Sequence, residues 1–252
     1  MEIVIIGSGN VAAVLGRKFV AAGHKIIQVF GRNASAASEL AYEWDTASIN
    51  YISLINNEAD VYIIAVSDAS IAEVVSDLHL PGKVVAHTAA SVEKEILKSA
   101  TEDYGVFYPL QSLRKDQKII PPMPIYTEAA TEKAKSVLEK LARSISNSEV
   151  KTAPIDKRTK LHVAAVIANN FTNHIFSLVE DFCKKEDIDF NDLLPLINNT
   201  IERMYSNPPS QMQTGPAFRK DEDTIAKHLE MLKNYPKLLN VYNCISNSIM
   251  NK

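Results

Sequence analysis

Along the first half of the chain, short apolar runs alternate with amphipathic stretches. Runs at 2–6, 25–30, 61–66, 84–87, 106–108 and 123–126 read as strands, and helical periodicity fills 10–22, 34–43, 70–78 and 92–99. A further helix at 130–145 and a short strand at 149–152 close this half. Such alternation predicts an α/β domain with a mostly parallel, doubly wound sheet and helices on both faces. Beyond Pro154 no stretch reads as a strand, and helical patterns run over 157–186, 190–205, 222–233 and 236–250. The loop SNPPSQMQTGPAFRKD interrupts them. The expected organisation is therefore an α/β domain over 1–153 and an all-helical domain over 154–252.

The first strand runs into Gly7-Ser8-Gly9-Asn10-Val11-Ala12, a G-x-G-x-x-G/A pattern that opens a helix. Chemistry explains each position. Gly7 permits a tight turn, Gly9 lets the backbone approach phosphate oxygens, and Ala12 is small enough for close helix–strand packing. The helix N-terminus then offers unpaired N–H groups and the positive end of its dipole to a pyrophosphate. An Asp or Glu at the end of the second strand would accept hydrogen bonds from the ribose of NAD. This chain has Gly31-Arg32-Asn33 there. Nothing repels a 2′-phosphate, Arg32 can pair with one, and Asn33 and Ser35 add donors, so NADP is the expected cofactor. Val66-Ser67-Asp68 and His87-Thr88 follow later strands and belong at the same carboxyl edge, where such sheets bind ligands. Asp68 serves equally well as a helix cap.

Composition narrows the setting. Hydrophobic residues make up 46%, charged residues 23%, and the net charge is -3, which argues against disorder and against a nucleic-acid partner. Cys183 and Cys244 have no metal-ligand spacing, and Met1 leads straight into a strand without a basic, cleavable leader. A cytoplasmic protein without a metal site or a membrane span is expected.

The stretch LHVAAVIANNFTNHIFSLV, residues 161–179, contains no Asp, Glu, Lys or Arg. A soluble helix without charges is normally buried on most sides, between domains or at a subunit contact, so a homodimer is expected. At about 100° per residue, Leu161, Ala164, Ala168, Phe171, Ile175, Leu178 and Phe182 share an apolar face, while His162, Asn169 and Asn173 fall on a polar stripe. The stripe either solvates an edge or lines a cleft. In the second case His162 is the natural proton donor, with Asn169 and Asn173 orienting a small-molecule substrate. His87 is a second candidate donor, or a structural histidine. Arg219, in the loop before the helix bearing His228, either holds an anion or solvates a loop tip.

GSGNVA, IIAVSDASI, VVAHTAAS, GVFYPLQSL, LHVAAVIANNFTNHIF and TGPAFRKDEDTIAKHL occur in this order along nearly the whole chain. With these pieces the sequence resembles a family of Rossmann-like NADP oxidoreductases that carry a C-terminal domain of unknown function (number 2520). More distantly it is similar to pyrroline-5-carboxylate reductase, ketopantoate reductase and hydroxyacid dehydrogenases related to 6-phosphogluconate dehydrogenase. The resemblance implies a helical second domain, a cleft between domains and commonly a dimer. Asn169 and Asn173 echo the asparagine pair of ketopantoate reductase, whereas Ala165 stands where such relatives carry a lysine. The expected function is an NADP-dependent oxidoreductase moving hydride to or from a small C=O or C=N compound. The alternatives are a non-catalytic NADP(H) sensor and a dimerisation module with a decayed site.

Overall fold

A computed structural model describes residues 1–117, 122–146 and 149–251. The chain divides into two compact units, Met1–Ala165 and Val166–Lys252. The first unit extends past the expected division at 153 because Arg158 is fully buried in it.

The first unit contains an eight-stranded sheet. Its strands are β1 (Glu2–Ile6), β2 (Lys25–Phe30), β3 (Ala47–Ile49), β4 (Val61–Ile64), β5 (Val84–His87), β6 (Tyr104–Pro109), β7 (Ile125–Ala129) and β8 (Lys151–Thr152). Their spatial order is β3-β2-β1-β4-β5-β6-β7-β8, and every pairing is parallel except β6 with β7. The order 3-2-1-4-5-6 is that of the doubly wound dinucleotide fold, with its switch point between β1 and β4. Strand alternation divides the core between the two faces. Ile3, Ile5, Ile63 and Ala86 pack against α1 (Asn10–Ala21), α2 (Ala34–Glu43) and α4 (Glu132–Ile145). Val4, Ile6, Ile64 and Val85 pack against α3 (Ile71–Ser76) and Leu97. Both faces of β1 are thus covered, which is why its sequence is an unbroken apolar run.

One local expectation gives way to a tertiary contact. Residues 92–99 form only a 3-10 turn, Lys94–Leu97. The Val92 carbonyl accepts from Arg158 Nη2 at 2.6 Å, so it is drawn to a long-range donor. The three-residue edge strand β3 is too short to stand out as a pattern.

A helix over 155–165, α5 (Ile155–Ala165), ends the first unit. In the second unit, Val166–Phe171 is π-helical, followed by α6 (Thr172–Lys185), α7 (Leu194–Arg203), α8 (Pro216–Arg219), α9 (Glu222–Met231) and α10 (Pro236–Met250). No described residue of this unit is in a strand. Asp221 caps α9, accepting from the Thr224 N–H at 3.1 Å, as expected of an acid at that position. In the single chain no residue of the uncharged stretch 161–179 is buried.

Candidate cofactor cradle and catalytic edge

The carboxyl ends of β1, β2, β4 and β5 are stitched side by side. Gly7 N donates to Phe30 O at 2.7 Å, Ala65 N to Ile6 O at 2.7 Å, Gly31 N to Ile49 O at 3.0 Å and Thr88 N to Ile64 O at 3.1 Å. Gly7 turns with φ of +132°, and a Cβ there would lie 2.3 Å from the Ala65 carbonyl oxygen. Only glycine fits. Gly9 caps α1 with no side-chain bond, the first turn has no acidic residue, and a Cβ on Gly9 would meet nothing within 4 Å. Open space therefore stands over a helix start whose first N–H groups lack intrahelical partners, which suits a phosphate. The space is a cavity of about 300 Å³ lined by Gly7, Ser8, Gly9, Gly31, Arg32, Asn33, Val66 and Ser67, among others. The rest of the glycine motif is structural: Ala12 is fully buried and Val11 packs on the core. The Asn10 side chain accepts from Lys115 N at 3.0 Å and so holds a neighbouring loop.

Arg32 lies on the cavity wall with both arms occupied. Nη1 donates to Glu73 Oε2 at 2.8 Å and Nη2 to Ser70 Oγ at 2.8 Å, with Ser67 Oγ a further 2.7 Å from Ser70 Oγ. The ion pair is exposed on both sides, 59% and 67%, so water screens it and little holds it closed. Asn33 uses its Oδ1 to cap α2, accepting from Ala36 N at 3.1 Å. A second cavity of about 560 Å³ adjoins Arg32 and is walled by Asn50, Tyr51, Ser53, Glu73 and Asp77.

Further along the same edge are Asp68, His87 and Tyr108, and α5 brings His162 against Tyr108. Asp68 is exposed and starts a 3-10 turn. His87 is fully buried, with Nδ1 accepting from Ala89 N at 3.2 Å and Nε2 lying 3.3 Å from Glu93 O. Burial, with the nearby Arg158 charge second, pushes its pKa down to about 4. The ring is therefore neutral, and both its nitrogens face backbone groups. His162 is exposed, and its Nδ1 lies 3.2 Å from the hydroxyl of Tyr108, which is only 6% exposed. The two rings meet edge to face, with centroids 6.4 Å apart.

Arg158, one turn before His162, locks α5 to the edge. Its guanidinium donates to Ala90 O at 3.0 Å, Ala153 O at 3.0 Å, Val92 O at 2.6 Å and Glu128 Oε2 at 2.6 Å. Lys94 holds the other oxygen of Glu128 at 2.8 Å. Sequence reasoning missed Arg158, Tyr108, Ser70 and Glu73. A charge in the first turns of a helix reads as solvent-facing, and only the fold buries it. Tyr108 lies within the GVFYPLQSL stretch but carries no motif of its own.

In the second unit Asn169 lies in the π-helical segment and Asn173 in the first turn of α6, both exposed. The π-helical segment breaks the constant step on which a single polar stripe was projected, so the 100° projection does not carry across it. Arg219 closes the short α8, and His228 Nδ1 lies 2.9 Å from the Tyr242 hydroxyl. Among the described residues no cluster of His, Cys, Asp or Glu suits a metal, and no helix is long and apolar enough to cross a membrane.

Sheet order, glycine turn, open helix start and an arginine in place of the ribose acid together define a dinucleotide-binding α/β protein of the NADP type. The comparisons name the family. A model described as NADP oxidoreductase, coenzyme F420-dependent, matches residues 2–91, and the domain of unknown function DUF2520 matches residues 123–249. A crystal structure of a proposed NADP oxidoreductase from Bacteroides fragilis is 34% identical, with a TM-score of 0.92, covering 100% of this chain and 98% of that one. The chain belongs to this family of NADP oxidoreductases with a DUF2520 C-terminal domain, enzymes whose cofactor is NADP. Two remoter structures share the fold. One is a 1-pyrroline-5-carboxylate reductase from Streptococcus pyogenes, at 16% identity and TM-score 0.62 over 100% of this chain and 99% of that one. The other is an imine reductase from Myxococcus stipitatus in complex with NADP+, at 12% identity and TM-score 0.67 over 100% and 92%. No curated protein matches the sequence.

Proposed function

We propose that this protein is an NADPH-dependent reductase of a small C=O or C=N compound. The observation that carries the reading is the cradle: a glycine turn at the switch point, with Arg32 on its wall and no carboxylate at the end of β2. The Gly9 end of α1 receives the pyrophosphate. Arg32 exchanges Glu73 for the 2′-phosphate, with Ser67 and Ser70 beside it, and the cavity past Arg32 takes the adenine end. Bound NADPH supplies the hydride. His162 supplies the proton, being an exposed imidazole on the nicotinamide side of the edge, and Asn169 and Asn173 orient the substrate. His87 takes a structural role, because a buried neutral ring bonded to backbone has no proton to give outward. Asp68 and Val66 border the nicotinamide.

The working form in this reading is a homodimer. Ile167 and Phe171 are each 56% exposed in the single chain, on a segment without charges that a second copy would cover. Both cysteines are free thiols, in keeping with a cytoplasmic site of action.

Titration with NADPH and NADH, followed by nicotinamide fluorescence, tests the cofactor half of the reading. Clear preference for NADPH is expected, and equal or better NADH binding overturns the role given to Arg32. A panel of keto acids, aldehydes and cyclic imines then tests the chemistry. NADPH bound tightly but never oxidised would leave a sensor in place of a reductase.

A further inference from the structure

We propose that Tyr108 acts through His162, donating its hydroxyl proton to Nδ1 so that the ring presents an Nε2–H to the substrate and passes on the phenol's proton when that one is used. The inference rests on the role given above to His162 and explains how it works as an acid at a pH where free imidazole is neutral.

The geometry supports this in three ways. The Tyr108 hydroxyl has one protein partner among the described residues, His162 Nδ1 at 3.2 Å. Nε2 has none, and the residue is exposed. The buried Arg158 guanidinium fixes α5 one turn earlier, so the spacing of the two rings is set by four hydrogen bonds rather than by a flexible stem.

A neutral imidazole that gives up Nε2–H without compensation becomes an imidazolate, which is costly. With Tyr108 behind it, two protons move together. The Nε2–H bond breaks as the substrate's new O–H or N–H bond forms, and the Tyr108 O–H bond breaks as Nδ1–H forms. Hydride comes from the nicotinamide, and a solvent proton restores the phenol. Burial raises the Tyr108 pKa and holds the resting phenol protonated, the Arg158 cation on α5 favours the transient phenolate, and Tyr126 on β7 and Asp68 after β4 oppose it.

The test is the ¹⁵N spectrum of the histidine rings at pH 8, with His162 identified by its loss in His162→Gln. It needs neither nucleotide nor substrate. A protonated Nε2 and a bare Nδ1 in the wild type, giving way to a tautomer mixture in Tyr108→Phe, is the expected result. A protonated Nδ1 in the wild-type protein overturns the relay, even if Tyr108→Phe does not fold. So does an unchanged tautomer in the variant. Kinetics give a second readout. The wild-type kcat stays level above pH 7, whereas Tyr108→Phe loses roughly tenfold or more as the pH rises, because nothing then resupplies the ring with a proton. Identical pH profiles would also overturn the relay. Failure of every substrate in the panel would instead remove the reductase reading, leaving the tautomer result standing on its own.

Discussion

The two units bury their apolar residues very differently. In Met1–Ala165, Ile3 to Ile6 are fully covered, and so are Val61 to Ile64, by helices on both faces of the sheet. Among the described residues of Val166–Lys252 those buried are Cys183, Ala217, Ile225, Leu232 and Ser246, while Leu196, Met231 and Phe171 stay 64%, 63% and 56% exposed. A sheet wrapped by its own crossover helices closes its core within one chain. A set of helices carrying apolar residues on several sides does not, and needs a second surface to cover them. The first unit therefore closes its own core, whereas the second leaves large apolar side chains uncovered in the single chain.

Breaking the first unit should have the largest effect. Arg158→Met leaves three backbone carbonyls and one oxygen of Glu128 without their donor, so it should cost about 3–5 kcal/mol in denaturant unfolding. A loss under about 1 kcal/mol would mean that the buried guanidinium does not organise this edge. His87 comes next. Its folded pKa, about 4, lies below the ordinary histidine value, so the unfolded chain takes up a proton that the native state refuses. Stability from this group is complete above about pH 6.5 and is lost as the pH falls toward 4, by about 3 kcal/mol in total. His87→Gln should flatten that part of the stability profile. An unchanged slope would show that another group controls it.

Arg32→Ala tests the cradle rather than the core. With a charged hydrogen bond worth about 1.5–3 kcal/mol, the preference for NADPH over NADH should fall roughly 10- to 100-fold while NADH binding holds. Phe171→Asp tests the contrast from the other side. Sedimentation should show self-association weakened by about tenfold or more, with the first unit's unfolding unaltered. A wild-type protein that is monomeric at micromolar concentration would end the dimer reading. The smallest effect belongs to Glu73→Gln. It frees Arg32 from an exposed pair worth under about 1 kcal/mol, so NADPH should bind a few-fold tighter.

Legibility in the sequence follows the range of the forces involved. Helices α2 and α10 lie at 34–43 and 236–250, as the periodicity predicts, because local signals fix their ends: Asn33 caps one and Pro236 opens the other. The glycine turn was legible for the same reason, since strand, turn and helix are contiguous. The 3-10 turn at Lys94–Leu97 was not, because Arg158 claims the Val92 carbonyl from 66 positions away. The π-helical segment also escaped a projection that assumes one constant step.

Taken alone, the amino-acid order determined the alternating α/β half, the helical half, the phosphate-binding turn and the arginine in place of an acid. All four depend on neighbours within a few residues or on a simple period. The tertiary structure decided that Arg32 is held by Glu73, that His87 is sealed and neutral, and that Tyr108 stands behind His162. Those are contacts between segments 41 to 54 residues apart, or burial by several elements at once, and no local pattern encodes which distant side chain will fill a given space once the sheet has closed.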